Sequence, residues 1–131
     1  MNITINKSKI PNPIGPYKTV VKAGNLIFIS GQISNSSDFN DYNNNISIQT
    51  KEILNNIKHI LDESNAHIKD IVKTTLFITN LKYLNIVNDI YKDFFLKYSN
   101  CFPARSCIEV SNLPKDALIE IEVIAYKKNN S

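Results

Sequence analysis

The chain has 131 residues, which is enough for one domain and too few for two of ordinary size. With 43% hydrophobic and 21% charged residues, it has the composition of a globular protein, and an intrinsically disordered chain is excluded. The net charge is +3 and the lysines are scattered, whereas nucleic-acid-binding proteins concentrate basic residues on one face. We therefore expect a single domain over residues 1–131 that has no nucleic-acid partner.

The targeting and cysteine patterns indicate a compartment. The N-terminal segment lacks the apolar stretch of an export signal and the Arg-rich amphipathic pattern of an organelle signal. The longest apolar runs are too short to cross a membrane. Cys101 and Cys107 are too few for a disulfide framework, and no Cys/His spacing of a zinc site is present. These features predict a cytoplasmic protein with no membrane partner and no metal ion.

The first half of the chain predicts two strands and a helix. The strands span 17–23 and 25–31 and meet at a Gly24-Asn25 turn, which is a hairpin signal. A polar, Asn-rich loop over 34–45 follows. From about 47 to 65 the apolar residues have helical spacing.

The second half predicts a strand, a helix and two further strands. The strand over 70–79 carries one alternating face, formed by Val72, Thr74, Leu76 and Ile78. A helix spans about 82–98, and strands over 104–110 and 117–126 are joined by a turn at Leu113-Pro114-Lys115. The order β-β-α-β-α-β-β, with both helices on one face of a mixed sheet, predicts a two-layer α+β sandwich.

The last strand has two different faces. Ile119, Ile121 and Val123 point one way, and we expect them beneath the helices. The opposite face mixes apolar and charged residues: Leu118, Glu120, Glu122, Ile124 and Tyr126. Such a mixed face is expected where another subunit covers the sheet.

Arg105 is the only arginine beside 14 lysines. An arginine kept in so Lys-rich a chain suggests a site that needs the planar, two-pronged guanidinium rather than a point charge. The alternative is a single surface arginine that is present by chance.

Period-2 alternation places Arg105, Cys107 and Glu109 on one face of their strand, and Glu120 and Glu122 alternate similarly on the next. If these two strands pair, a guanidinium, a thiol and carboxylates share one surface. Arg105 is then suited to hold a small carboxylate by two parallel hydrogen bonds, and a glutamate to deprotonate a water molecule. A cross-strand Arg–Glu ion pair is the structural alternative.

A cysteine can act as a nucleophile, but Cys107 has no histidine near it in sequence that could act as its base. Neither His59 nor His67 is near it in sequence, and both lie among residues typical of a solvated surface. We therefore interpret Cys107 as a small strand residue whose backbone N–H matters more than its sulfur.

Four further residues are candidates for a binding site. Tyr17 follows a rigid Gly-Pro bend that could present its phenol to a cleft, although a buried aromatic is the commoner role there. Ser30 and Gly31 end the second strand, where glycine lets a ligand approach backbone N–H groups, or simply forms a turn. Asn88, in mid-helix, could bond a ligand or a neighbouring loop.

Six segments in this order and spacing resemble the RidA (YjgF) family: IGPY (14–17), ISGQI (29–33), DIVKTTLFITN (70–80), VNDIYKDFF (87–95), FPARSCIEV (102–110) and LPKDALIEIEVIA (113–125). The similarity runs nearly end to end. Its most specific part is the block from PARSC to IEIE.

The resemblance implies a chorismate-mutase-like α+β fold, a homotrimer and sites in the clefts between subunits. It implies a deaminase, with no cofactor, that acts on 2-iminobutanoate and 2-iminopropanoate, which are products of pyridoxal-phosphate-dependent dehydratases. Members of this family have also been described as endoribonucleases and translation inhibitors. A non-catalytic binder of small carboxylates and a redox-regulated chaperone are further alternatives.

The resemblance also implies roles for individual residues. Arg105 would hold the substrate carboxylate and Glu120 the attacking water. Ligand contacts, largely through backbone, would come from Gly31 and Cys107, and the cleft wall would be completed by Tyr17, Ser30 and Asn88.

The sequence departs from the family pattern in two places. The loop over 34–45 is Asn-rich and lacks the family's usual Pro and Gly, and Lys18 replaces a small or apolar residue. Both departures concern the outer wall of the expected pocket, and so its preference among substrate side chains.

Overall fold

A computed structural model describes residues 13, 15–34 and 45–128, so residues 35–44 of the Asn-rich loop and Ile14 lie outside the described residues. The elements are β1 (Val20–Ala23), β2 (Leu26–Gln32), α1 (Ile46–Glu63), β3 (Ile71–Ile78), α2 (Leu84–Tyr98), β4 (Ala104–Glu109) and β5 (Ile119–Tyr126). Short 3-10 turns precede β3, α2 and β5. The predicted order of strands and helices is confirmed.

The five strands form one mixed sheet in the order β1-β2-β5-β3-β4. Every neighbouring pair is antiparallel except β3 and β4, which are parallel. Helix α1 packs against β2, β5 and α2, and both helices contribute to one core. The predicted two-layer α+β class is confirmed.

The β4 and β5 strands are not neighbours, because β3 lies between them. The predicted turn does form, over Pro114–Asp116, and Lys115 and Asp116 both adopt positive φ angles, of 56° and 54°. It joins strands that lie apart, so the pairing considered from the sequence is wrong. The reason is the helix α2, which carries the chain over the sheet and returns β4 parallel to β3 at the edge.

Local signals define two element boundaries. Gly24 has a φ of 62°, a conformation that glycine adopts without steric cost, and it joins β1 to β2 at the predicted hairpin. Asn45 begins α1 by accepting a hydrogen bond from the backbone N–H of Ser47 at 2.8 Å.

The core lies between the helices and one face of the sheet. Ile119, Ile121 and Val123 are buried there as predicted. The predicted face of β3 is confirmed for three members and wrong for Val72, which is exposed. A register shift between Ile71 and Lys73 puts Ile71 into the core in its place.

The outer face of the sheet is partly apolar. Leu26, Phe28, Ile108 and Tyr126 are 37%, 39%, 46% and 47% exposed. Leu118 does not belong to this face, since it precedes β5 and packs against the core. Among the described residues, neither helix is long and apolar enough to cross a membrane.

Candidate functional site

Three alternate residues of β4 lie opposite three buried residues of β3. The pairs are Thr74 with Arg105, Leu76 with Cys107, and Ile78 with Glu109. Directly opposed residues point to the same side of a sheet, so Arg105, Cys107 and Glu109 share the side that carries the helices. The face predicted for these three residues is confirmed.

The guanidinium of Arg105 is held by two residues of α2. Its Nη1 donates to Oδ1 of Asn88 at 2.8 Å, and its Cζ lies 5.0 Å from the centroid of the Tyr91 ring. Within residues 13, 15–34 and 45–128 the only ion pair joins Lys58 and Asp62. The alternative of an Arg–Glu cross-strand pair is therefore wrong, and the exposed guanidinium keeps donors for a ligand.

Sequence reasoning missed the role of Tyr91 and Thr74 at this site. Tyr91 counted only as a member of the apolar stripe of its helix, yet its hydroxyl shares a 2.7 Å hydrogen bond with Oγ1 of Thr74. Burial raises the pKa of Tyr91, although the bond to Thr74 and the charge of Arg105 act in the opposite direction. A polar Thr74 on an otherwise apolar strand face was the available signal.

Glu109 ties β4 to the chain entering α2. Its Oε1 accepts a hydrogen bond from the backbone N–H of Leu81 at 2.9 Å. A carboxylate is favourable at a helix N-terminus, where backbone N–H groups are unpaired. This link holds the strand that carries Arg105 against the helix that carries Asn88.

Cys107 is half-buried beside Arg105. Burial raises the pKa of its thiol, and the charge of Arg105 offsets this only in part. His59 and His67 are exposed, and no group of three or more His, Cys, Asp or Glu able to hold a metal occurs among the described residues. The neutral thiol agrees with a role through the backbone.

A second group of candidate residues surrounds Glu120 on β5. Glu120 lies opposite Phe77 of β3, and Phe77 is three residues from Thr74. Since side chains alternate along a strand, Glu120 faces the side of the sheet away from the helices. Its carboxyl group lies against Gly31, where a Cβ would come within 2.8 Å of Cδ of Glu120. Glycine at 31 therefore makes room for this carboxylate.

Ser30 anchors the segment that carries Tyr17. Its hydroxyl donates to the backbone carbonyl of Lys18 at 2.6 Å, and its N–H donates to the carbonyl of Thr19 at 2.9 Å. Tyr17 precedes these contacts and is exposed. Lys18 is exposed as well.

The pKa of Glu120 is raised, chiefly by burial and further by the neighbouring carboxylate of Glu122. A carboxylate with a raised pKa is a stronger base than an ordinary surface glutamate. In the described part of the chain, no hydrogen-bond donor or cation pairs with it.

The seven candidate residues thus form two groups, one that includes Arg105 and one that includes β2 residues and Glu120. Arg105, Cys107 and Asn88 belong to the helix side. The other group comprises Tyr17, Ser30, Gly31 and Glu120. Of the carboxylates expected on the surface of Arg105 and Cys107, Glu109 lies there, but Glu120 and Glu122 do not within one chain. They lie opposite Phe77 and Thr75 of β3, which alternate with the Thr74 and Leu76 that lie opposite Arg105 and Cys107.

Comparison with known proteins identifies the family. The model of the family described as Endoribonuclease L-PSP matches residues 7–127. A RutC family protein of Buchnera aphidicola subsp. Baizongia pistaciae is 55% identical over 123 residues, which cover 94% of this chain and 95% of the relative. The 2-iminobutanoate/2-iminopropanoate deaminase of Escherichia coli K12 is 41% identical over 128 residues, covering 98% of this chain and 100% of that protein. The chain belongs to the RidA (YjgF) family.

Two solved structures share the fold of this chain. The crystal structure of the YjgF gene product from E. coli matches with a TM-score of 0.86 and 38% identity, covering 97% of this chain and 100% of that one. E. coli TdcF with bound serine matches with a TM-score of 0.87 and 35% identity, again covering 97% and 100%. The α+β fold that the resemblance implied is confirmed.

Proposed function

We propose that this RidA-family protein hydrolyses 2-imino acids, such as 2-iminobutanoate and 2-iminopropanoate, to 2-keto acids and ammonia. The observation that carries the proposal is the state of Arg105. The chain's only arginine is exposed, is oriented by Asn88 and Tyr91, and has no carboxylate partner in the described residues. A guanidinium so held is suited to a ligand carboxylate.

Two relatives support this substrate class. The E. coli deaminase, 41% identical, is named for two 2-imino acids. E. coli TdcF holds serine, an amino acid whose carboxylate is bonded to the carbon that bears nitrogen. A 2-imino acid has the same arrangement of carboxylate, carbon and nitrogen.

The proposed reaction begins with the carboxylate on Arg105, which fixes the adjacent imine carbon and makes the attack of water effectively intramolecular. Glu120 takes a proton from the water as the water oxygen bonds to the imine carbon, and this proton is returned to the nitrogen as the C=N double bond becomes single, giving a neutral carbinolamine. Glu120 then takes the hydroxyl proton of the carbinolamine and passes it to the amino nitrogen, so that the C=O bond forms as the C–N bond breaks and ammonia leaves. Neither redox change nor a covalent enzyme intermediate is required.

We further propose that each site lies between two copies of the chain. Arg105 and Glu120 face opposite sides of the sheet, so one copy would supply Arg105 with Asn88 and Cys107, and the next copy Glu120 with Gly31, Ser30 and Tyr17. An interface that joins different surfaces of two copies forms a ring when the rotation between the copies closes, and an open filament when it does not. The homotrimer implied by the resemblance is such a ring.

The apolar outer face of the sheet supports this assembly. Leu26, Phe28, Ile108 and Tyr126 remain partly exposed on the face that carries Glu120. Exposed apolar patches of this kind mark interfaces between proteins. Light scattering at micromolar concentration should give three times the mass of the chain, and a stable monomer would overturn the shared site.

The activity is tested by supplying the imine from threonine with a dehydratase. At steady state the output of 2-ketobutanoate equals the supply of imine, whatever the rate of hydrolysis, so the informative quantity is the lag before that state. We expect the protein to shorten the lag, and Arg105→Lys and Glu120→Gln to restore it. An unchanged lag, with RNA cleavage that both substitutions abolish, would replace the deaminase with a nuclease.

A further inference from the structure

The hydroxyl groups of Tyr91 and Thr74 have no part in the reaction described above, yet both residues are buried. They share one hydrogen bond of 2.7 Å that links α2 to β3. Placing two polar groups in a core costs free energy unless they bond each other, and an apolar pair would fill this space without that requirement. The pair therefore calls for an explanation beyond packing.

The Tyr91 ring is constrained on two sides. Its hydroxyl is bonded to Thr74, and its centroid lies 4.6 Å from that of Phe95, with the ring planes inclined at 38°. The constrained ring lies beneath the guanidinium of Arg105, with 5.0 Å between its centroid and Cζ. An aromatic face attracts a cation placed over it, and a guanidinium also stacks on it.

Asn88 and Tyr91 constrain the guanidinium in different ways. The bond from Nη1 to Asn88 fixes the direction of one nitrogen but leaves the plane free to rotate about that bond. A face beneath the group resists this rotation. Together the two contacts fix the direction and the plane of a group that must present parallel donors to a carboxylate.

We propose that Tyr91, oriented by Thr74, is a positioning residue that sets the plane of the Arg105 guanidinium for a carboxylate ligand. The effect of Tyr91 on catalysis rests on the proposed deaminase function, whereas its effect on the orientation of Arg105 does not. Tyr91 acts through Arg105 and need not touch the substrate.

The protonation state of Tyr91 agrees with this role. Burial raises its pKa, so the phenol stays neutral at physiological pH. A phenolate at this place would pair with Arg105 and compete with the ligand carboxylate. The neutral ring stabilises the guanidinium without occupying its donors.

Nitrogen-15 NMR tests the proposal, because the chain contains one arginine and so gives one Arg Nε–H signal. The variants are Tyr91→Leu, which removes the ring, and Tyr91→Phe, which keeps it. The probe is 2-ketobutanoate, a stable carboxylate. Phe94→Leu is the matched control, since it removes a half-buried ring from α2 that is not the ring under Arg105.

We expect Tyr91→Leu to move the Arg105 Nε–H signal downfield, as the ring current is lost, and to weaken 2-ketobutanoate binding about tenfold. Tyr91→Phe keeps the ring but loses its bond to Thr74, so we expect a smaller downfield shift and a loss of affinity of about threefold. Phe94→Leu should change neither quantity, even where it lowers the melting temperature. An unmoved signal and unchanged affinity in Tyr91→Leu, or equal losses in Phe94→Leu, would overturn the proposal.

A double-mutant cycle separates positioning from structural damage. In an Arg105→Lys background, Tyr91→Leu should cause no further loss of affinity or of kcat/KM, since its effect passes through the guanidinium. A further tenfold loss would contradict the proposal. If the parent protein bound no 2-ketobutanoate, the carboxylate site of the proposed function would fail, and the Arg105 signal alone would still decide whether Tyr91 orients the guanidinium.

Discussion

Arg105 and Glu120, the two charged side chains of the proposed site, differ in how far one chain organises them. Arg105 has Asn88 at one nitrogen and the Tyr91 ring beneath its plane. Glu120 lies against Gly31, on the opposite side of the sheet, and no donor or cation pairs with it in the described residues. Contacts within one chain thus fix the guanidinium of Arg105, whereas no hydrogen bond or ion pair within the described residues fixes the carboxylate of Glu120.

This difference indicates what each half contributes. A carboxylate clamp must hold its donors in a fixed plane, and contacts within one chain supply that rigidity. A general base benefits from a raised pKa and an accessible carboxylate, both of which Glu120 has. Assembly of the copies would then place the fixed guanidinium of Arg105 near Glu120, whose carboxylate has no cation or hydrogen-bond donor paired with it in the described residues.

The largest effect is expected from Glu120→Gln, which tests Glu120 as the general base. Glutamine keeps the size of the side chain but cannot accept the proton of water, so kcat should fall about a thousandfold. Binding of 2-ketobutanoate and the assembly state should not change. Nearly full activity in this variant would favour a non-catalytic binder, or another base, over the proposed mechanism.

Arg105→Lys tests Arg105 as the residue that binds and orients the substrate carboxylate. Charge is conserved, but an ammonium cannot set the plane of a carboxylate or stack on Tyr91 as a guanidinium does. We expect kcat/KM for 2-iminobutanoate to fall at least about a hundredfold, with the melting temperature nearly unchanged. Activity close to that of the parent protein would mean that a positive field alone is sufficient.

Glu122→Gln tests Glu120 as the base through the pH dependence of kcat/KM. Glu122 contributes to the raised pKa of Glu120, so its neutralisation should lower that pKa while burial continues to raise it. The base must be ionised to act, and the acid limb of the kcat/KM profile should therefore move to lower pH. Asp93→Asn, at an exposed position of α2, is the control and should leave the limb in place. A shift in the opposite direction would separate Glu120 from the acid limb.

The smallest effect is expected from Cys107→Ser. Burial keeps this thiol neutral, and no histidine base is near it in sequence, so the sulfur has no chemical role in the account. Serine retains the backbone N–H and a similar size, and activity should stay within about threefold. A loss of about a hundredfold would show that the sulfur takes part.

The order of elements was predictable from the sequence because periodicity is a local property. The alternation that placed Arg105 with Cys107 and Glu109, and the hairpin at Gly24, needed only neighbouring residues. Strand order is not local. The insertion of β3 between β4 and β5 depends on where the helices pack, and the registers of β3 with these two strands place Arg105 and Glu120 on opposite sides.

Most of the candidate site could be proposed from the residues and the family resemblance, but its contacts could not. The Tyr91 hydroxyl matters here because Thr74, 17 positions away in sequence, lies opposite it. Likewise, Val72 continues the alternation of its strand perfectly, and only the register shift at Ile71 removes it from the core. Such features arise from tertiary packing, which periodicity does not encode.

The central claim, that each site takes Arg105 from one copy and Glu120 from another, is tested by mixing two inactive variants. Arg105→Lys and Glu120→Gln chains, carrying different tags and produced together in equal amounts, should assemble at random. A site is intact only where a Glu120→Gln chain supplies Arg105 and an Arg105→Lys chain supplies Glu120, so about a quarter of the parent activity should return. Each variant alone should remain inactive. No recovery in mixed assemblies, verified by pulling down both tags, would show that a single chain supplies both residues and would contradict the account.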